Sequence, residues 1–395
     1  MGSRVIIAGT GMEQSMSMTV GAKNAAENAD ILIGAKRILE GFGHLNKVLF
    51  SSYDSREIAE FIAENRNKKI TVLMSGDCGF FSGTKKLSHE LDRLGIEYEI
   101  IPGIASPVYL CSKLGISWER IRFVSLHGSR ANIVREVCAN EYVFVLVGNE
   151  NDCGDVCRKL TDFGRCGVKV IIGERLGYPD EKISEGTAEE FSDIITSKLS
   201  SMLIINPEYE KYLRSGIPDD EFIRGKAPMT KAEIRCSAVS KLCIGEEDIC
   251  WDIGSGTGSV AVEMALRCPQ GTVYAVEREI EAVQLSEKNF RKFGCDNIMS
   301  VFGRAEECLD ELPAPDCVFI GGSGGHLADI VKNILEKNPY ARIVMTAVTL
   351  ETLHESECLG EREIVQLTAA HTVRAGYHTM LRGENPVFII RRIGE

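Results

Sequence analysis

The run Asp252-Ile253-Gly254-Ser255-Gly256-Thr257-Gly258 constrains the fold more than any other stretch of this 395-residue chain. It follows a short apolar stretch and precedes a helical pattern, which places the glycines at a strand-to-helix turn. Glycine lets backbone approach a ligand closely, and a helix start carries free N–H groups. A second apolar run, Thr272 to Val276, ends at Glu277, about one strand-helix-strand unit downstream. That pattern predicts a nucleoside cofactor on a parallel sheet. A dinucleotide loop counted from Gly254 requires glycine or alanine at 259, where this chain has Ser259, so no pyrophosphate needs cradling. The cofactor contacts expected here are Asp252, Gly254, Ser255, Gly256, Thr257, Gly258 and Glu277, the last accepting ribose hydroxyls.

Strand-like runs alternate with helical patterns throughout, which predicts α/β architecture. In the first part, strands are expected at 5–8, 70–74, 98–101, 122–126, 143–147, 168–172 and 202–205. Helices are expected at 19–29, 55–65, 83–94 and 105–114. In the second part, strands are expected at 249–252, 272–276, 297–302, 317–320, 343–347 and 387–391, with one more near 364–370. Between the two sets lies a turn-rich polar stretch, 206–227, holding Pro207, Gly216, Pro218 and Gly225. The expected organisation is a first domain over 1–205, a linker over 206–227 and a second domain over 228–395.

The net charge of −12 argues against broad nucleic-acid binding, which rests on basic surface. No apolar run approaches a membrane span, and the start of the chain reads as a first strand rather than a signal peptide. The 14 cysteines lack zinc-ligand spacing. They are expected as reduced thiols in a cytoplasmic protein, without a metal.

An acid ahead of Gly-x-Gly-x-Gly, with a second acid ending the next strand, resembles the S-adenosylmethionine loop of class I methyltransferases. The strand Asp316 to Ile320 runs into Gly321-Gly322-Ser323-Gly324-Gly325-His326. In that class this position lies beside the cofactor sulfonium. Small residues there leave room for a flat, bulky acceptor, so Gly321 is expected at the cofactor and Ser323 at the acceptor. The polar-proline-proline-aromatic motif of nucleic-acid N-methyltransferases is absent. Arg304-Ala305-Glu306 follows the third strand, near the expected adenine position. Arg304 replaces the usual acid, which leaves that contact to the backbone near Ala305. In Pro228-Met229-Thr230-Lys231-Ala232-Glu233-Ile234-Arg235, Thr230 suits a helix N-cap with Glu233 completing a capping box, and it is also a candidate cofactor contact.

These motifs, with Thr346-Ala347, Leu350-Glu351-Thr352 and Asn385-Pro386-Val387, make the region from about Gly216 onward similar to the C15-methylating, decarboxylating family of cobalamin biosynthesis. The resemblance implies methyl transfer to a precorrin or cobalt-precorrin, with loss of CO2 from the ring-C acetate. Arg374 and Arg382 are candidate carboxylate clamps, with solvated surface charge as the alternative. Glu351 is either an acid/base group or a helix-start carboxylate. His326, His371 and His378 read as structural or exposed.

The first part carries Gly9-Thr10-Gly11, then Ser75-Gly76-Asp77-Cys78-Gly79-Phe80, then Pro102-Gly103-Ile104-Ala105-Ser106, then Ser125-Leu126-His127-Gly128. In that order they resemble the loops of the tetrapyrrole methylases, or class III methyltransferases, over about residues 4 to 205. The resemblance implies a two-lobed α/β domain methylating C5, with Gly9, Gly11, Gly76, Asp77, Phe80, Ser106 and His127 at its S-adenosylmethionine. Two positions depart from the family pattern. Gly11-Met12-Glu13-Gln14 replaces Gly-Pro-Gly-Asp, and Cys78 replaces a proline, which lowers the expected loop stiffness. Taken alone, this half also resembles RNA 2′-O-methyltransferases and diphthine synthases. A tetrapyrrole-binding protein with an inactive first domain is a further alternative. Relatives of both halves form homo-oligomers, so a homo-oligomer is expected.

Overall fold

A computed structural model of the chain describes residues 5–12, 17–126, 132–148, 152–210 and 215–394. Contacts divide the chain into two compact units. The first comprises Met1–His127, Tyr142–Asp155 and Lys169–Ile204; the second comprises Gly128–Glu141, Val156–Val168 and Ile205–Glu395.

The first sheet is built from β1 (Val5–Gly9), β2 (Ile31–Gly34), β3 (Val48–Ser51), β4 (Ile70–Met74) and β5 (Tyr98–Ile101). They are parallel, in the order β3-β2-β4-β1-β5. Helices α1 (Val20–Asn28), α2 (Lys36–Leu39), α3 (Ser55–Glu64) and α4 (Thr84–Arg93) lie between them in sequence. Local chemistry sets the helix starts. The Thr19 hydroxyl accepts from the Ala22 N–H, and Asp54 accepts from the N–H groups of Arg56 and Glu57. After β1 the chain passes to β2, and after β4 it passes to β5 on the other side. The carboxyl ends of β1 and β4 therefore flank a switch point, where open parallel sheets leave a crevice.

Helix α5 (Ser106–Leu114) leads into a second five-stranded sheet. Its strands are β6 (Ile121–Ser125), β7 (Tyr142–Leu146), β8 (Lys169–Glu174), β9 (Lys182–Thr187) and β10 (Ser200–Ile205), ordered β6-β7-β10-β8-β9. Helices α6 (Ile133–Ala139) and α7 (Cys153–Asp162) fall between these strands in sequence.

The seven-stranded sheet of the second unit contains β11 (Ile249–Ile253), β12 (Thr272–Glu277), β13 (Ile298–Phe302), β14 (Cys317–Ile320), β15 (Arg342–Ala347), β16 (Arg362–Leu367) and, last in chain order, β19 (Val387–Arg392). The order is β13-β12-β11-β14-β15-β19-β16, with β19 antiparallel to both its neighbours. Six helices accompany it: α8 (Ala232–Lys241), α9 (Ser259–Ala265), α10 (Ile280–Lys292), α11 (Ala305–Cys308), α12 (Leu327–Lys337) and α13 (Leu350–Glu355). Alternate residues of each central strand enter two separate cores. Cys250, Val273, Phe319, Val344 and Ile389 face one. Trp251, Val276, Val318, Ile343 and Ile390 face the other. Both faces are buried, which is why these strands read as nearly continuous apolar runs. The switch point lies between β11 and β14.

Strands β17 (Ala370–Ala375) and β18 (His378–Gly383) pair only with each other, as a hairpin whose residues are all exposed. All expected strands are present within two residues at each end, except that the strand expected near 364–370 ends three residues early, at Leu367. Strands β2, β3 and β9 and the hairpin are additional. Part of the 206–227 stretch is packed rather than free. Ile217 and Phe222 enter the core of the second unit, and the N–H groups of Gly216 and Ile217 donate to the buried Glu263 carboxylate. Among the described residues no helix is long and apolar enough to cross a membrane.

Candidate cofactor and acceptor sites

At the second unit's switch point, the backbone of the glycine run is left-handed at Gly254, Gly256 and Gly258, with φ of +73°, +57° and +74°. All three positions are also closed sterically. A Cβ on Gly254 would stand 2.9 Å from the Gly322 backbone, and one on Gly258 would stand 2.5 Å from the Phe290 ring. Asp252 is fully buried, and its Oδ2 accepts from the Ala261 N–H at 2.9 Å. Its Oδ1, the Ser255 Oγ and the Thr257 Oγ1 are buried without a protein hydrogen-bond partner. Burial, reinforced by the nearby Glu277 charge, pushes the Asp252 carboxyl up to about 7. Buried polar atoms are normally satisfied. Three orphans beside three left-handed glycines form a cradle that fits the polar end of a nucleoside cofactor.

Glu277, at the end of β12, is tied into the same loop. Its Oε2 accepts from Gly256 N at 2.8 Å, and its Oε1 accepts from Arg278 N and Glu279 N at 2.8 and 3.0 Å. An ionised carboxylate has about four lone-pair sites. Three are engaged, so the group is rigidly oriented. Gly321, after β14, donates its N–H to Ile253 O at 2.8 Å. This brings the Gly321–Gly325 loop against the cofactor loop. Gly324 and Gly325 are left-handed, and Ser323 is half-buried between exposed glycines. Gly303, just before Arg304, donates to Glu277 O at 3.0 Å, so the third strand end joins the same rim. Ala305 opens α11, and the Arg304 side chain is exposed, 3.8 Å from Glu306.

Thr230 does not cap α8. The helix begins at Ala232 with Lys231 at the cap position and no side-chain cap. The reason is Arg235, a fully buried arginine whose Nη1 takes the Thr230 carbonyl at 2.6 Å. The same side chain bonds Glu263 at 2.7 Å and Asp219 at 3.3 Å, and also takes the Ile217 carbonyl. Pro228, two residues before Thr230, stands against the glycine run, because a Cβ on Gly256 would lie 2.8 Å from Pro228 O. Sequence reasoning read Arg235 only as part of a motif. The signal for its role was an arginine on a helix whose other buried positions are apolar.

The remaining candidates of this unit lie elsewhere. Glu351 is exposed in the first turn of α13, which Thr349 caps through the Thr352 N–H. Arg374 and Arg382 are exposed on the hairpin. The register pairs His371 with Arg382 and Arg374 with Thr379. Side chains alternate along a strand, so the two arginines leave opposite faces. His371, on the Arg382 face, is 3.7 Å from Glu233 of α8.

In the first unit, the loops after β1, β4 and β5 meet at the corresponding switch point. Gly11 and Gly76 form an antiparallel bridge. A Cβ on Gly9 would lie 2.6 Å from Gly103 N, and one on Gly103 would lie 2.1 Å from Gly76 O. Asp77 fastens the junction, accepting from Gly79 N at 2.8 Å and Gly103 N at 3.0 Å. Cys78 is buried and donates from Sγ to Ile101 O at 3.4 Å; burial pushes its thiol up to about 11. The thiol thus ties the loop after β4 to the end of β5. Phe80 packs edge-on against Phe81 and Phe123, with ring centroids at 4.9 and 5.3 Å. Ser106 is the half-buried first residue of α5. His127 lies outside the described residues.

The family of tetrapyrrole (corrin/porphyrin) methylases matches residues 4–192, and a precorrin methyltransferase domain matches residues 221–392. A Pyrobaculum calidifontis protein named "Probable cobalt-precorrin-6B C(15)-methyltransferase (decarboxylating)" is 43% identical over 187 residues, covering 45% of this chain and 96% of that protein. The Salmonella typhimurium cobalt-precorrin-6B C(15)-methyltransferase (decarboxylating) is 36% identical over 182 residues, covering 44% and 93%. Among solved structures, a precorrin-6y C5,15-methyltransferase from Geobacter metallireducens is 38% identical, with a TM-score of 0.44, over 46% of this chain and 97% of that one.

Proposed function

The chain belongs to the precorrin methyltransferases, and from that premise we propose that it methylates one precorrin-6 or cobalt-precorrin macrocycle twice. In this reading residues 1–205 methylate C5, and residues 228–395 methylate C15 and release CO2 from the ring-C acetate. Residues 206–227 join the two parts. The observation that carries the reading is the pair of glycine-built crevices, one at the switch point of each unit's parallel sheet.

The cofactor is S-adenosylmethionine, which when bound supplies an electrophilic methyl group. The residues of the chain supply placement. In the second unit, Asp252 and Thr257 offer orphaned polar atoms, Glu277 offers a fixed carboxylate, and Gly321 to Gly325 leave a wall without bulk for a flat acceptor. Rate enhancement then comes mainly from alignment and preorganised charge. We assign Arg304 and Ala305 to the adenine edge, Thr230 to the cofactor rim, and Ser323, Glu351, Arg374 and Arg382 to the acceptor side. In the first unit, Gly9, Gly11, Gly76, Asp77, Phe80, Ser106 and His127 take the cofactor role. The reading includes a homo-oligomer and an acceptor that is not a nucleic acid; the net charge of −12 supports the latter.

Incubating the chain with a reduced precorrin-6 macrocycle and methyl-labelled cofactor, followed by mass spectrometry, tests this. Two labelled methyl gains with one CO2 loss are expected. One methyl gain without CO2 loss would remove the C15 assignment.

A further inference from the structure

The carboxyl edge of the first sheet carries a cationic cluster that the cofactor loops leave unexplained. Arg37 is the second residue of the short helix α2 after β2, half-buried. Its guanidinium donates to the Tyr178 hydroxyl and, at 3.3 Å, to the Ser75 Oγ. Ser75 directly precedes Gly76 and Asp77. The Tyr178 ring has Arg37 Cζ 5.9 Å from its centroid and Arg175 Cζ 4.7 Å from it. Arg175 is neutralised, with its Nε 2.6 Å from Asp180. It also sits in a left-handed backbone, φ +47°, unusual for a side chain of its size. Its carbonyl accepts from Tyr178 N at 2.9 Å, which fixes the turn that presents the phenol.

Arg37 is different. Among the described residues its hydrogen-bond partners are two neutral hydroxyls, and no carboxylate lies within salt-bridge distance of it. A guanidinium is always charged and presents several donors in a planar fork, of which hydroxyls use few. Here a permanent charge is oriented by a phenol hydroxyl, half-removed from water and, among the described residues, without a counter-ion, next to the loop proposed to hold the methyl donor. Building on the assignment of the first unit to C5 methylation, we propose that Arg37, oriented by Tyr178 and Ser75, is the carboxylate-recognising residue of that acceptor site. It takes an acetate or propionate side chain of the macrocycle.

The test uses the full chain and follows the non-decarboxylating methyl transfer by mass, under initial-rate conditions. Charge-assisted hydrogen bonds correspond to roughly a tenfold effect or more. Arg37→Gln should therefore raise KM for the macrocycle by at least about tenfold, with KM for S-adenosylmethionine and the decarboxylating transfer unchanged. Arg37→Lys should recover part of the loss, and Tyr178→Phe, which removes only the orienting hydroxyl, should show a smaller rise. Lys36→Gln makes the same charge change on the exposed neighbour and should leave KM unaltered. The assignment is overturned if Lys36→Gln and Arg37→Gln shift KM equally, if Arg37→Gln leaves it unchanged, or if the cofactor KM rises in parallel. Should Arg37→Gln fail to fold, an unchanged KM in Tyr178→Phe overturns it. Absence of any non-decarboxylating methyl transfer in the unaltered chain is a distinct result, because it overturns the C5 reading itself.

Discussion

Asp252 shows how one buried carboxyl links the cofactor site to the stability of the unit around it. Its pKa lies near 7 in the folded state because burial disfavours the charge. The unfolded value is near 4. Between these values the folded state binds more protons than the unfolded state, so this group's contribution to stability is present below about pH 4 and is lost as pH rises towards 7. Asp252→Asn should flatten that dependence, read as the difference in Tm between the two proteins from pH 5 to 8. The cofactor carries positive charge, which favours the ionised carboxyl. Its affinity should therefore tighten through pH 7 in the unaltered chain and stay level in Asp252→Asn, as followed by calorimetric titration. Gly258→Ala tests the steric half of the same loop. A left-handed alanine whose Cβ meets the Phe290 ring should lower stability by about 2–4 kcal/mol in urea unfolding.

At the level of elements, the Arg235–Glu263 pair binds α8, α9 and the segment around Ile217 into one assembly, with both side chains fully buried. Removing one partner strands the other charge, so Arg235→Met should cost about 3–5 kcal/mol. Arg235→Met combined with Glu263→Met should cost less than the sum of the two single changes, in denaturant melts of all three variants. The hairpin makes a different kind of prediction. Arg382 shares a face with His371, which lies near α8, and Arg374 leaves the opposite face. Arg382→Gln should therefore raise KM for the macrocycle in the decarboxylating transfer more than Arg374→Gln does; equal effects would contradict this placement. How legible each element was follows from burial. Strands β4 and β14 lie where the apolar runs place them, because both of their faces are covered. The four residues of β2 are buried but short and follow directly on an alanine-rich helix, so their periodicity merges with it. Strand β9, Lys-Ile-Ser-Glu-Gly-Thr, is a polar edge, and β17 and β18 are exposed on both faces, so neither carries a pattern of burial to read.

On the scale of the whole chain, the proposed reading gives the two glycine-built crevices two separable reactions. Glu277→Gln should abolish one methyl gain and the CO2 loss together while sparing the other methyl transfer, in the mass-spectrometric assay. Loss of both transfers would argue against independent sites. The crevices were legible because their requirement for glycine is local and repeats at short spacing. The Arg37–Tyr178 contact was not, since its partners are 141 residues apart and belong to no motif. Nor was the engagement of Glu277 by three N–H groups, which depends on how the loop folds back on itself. The position of β19 has a consequence for the order of events in biosynthesis. This strand is inserted between β15 and β16, with Ile389 and Ile390 wholly buried. Until it emerges from the ribosome, the facing edges of its two neighbours are open to pairing with other chains, as unpaired edges are. The nascent second unit can assemble its cofactor crevice on β11, β12 and β14 before its sheet is closed, so a window exists in which the site is built while the domain is still vulnerable to aggregation.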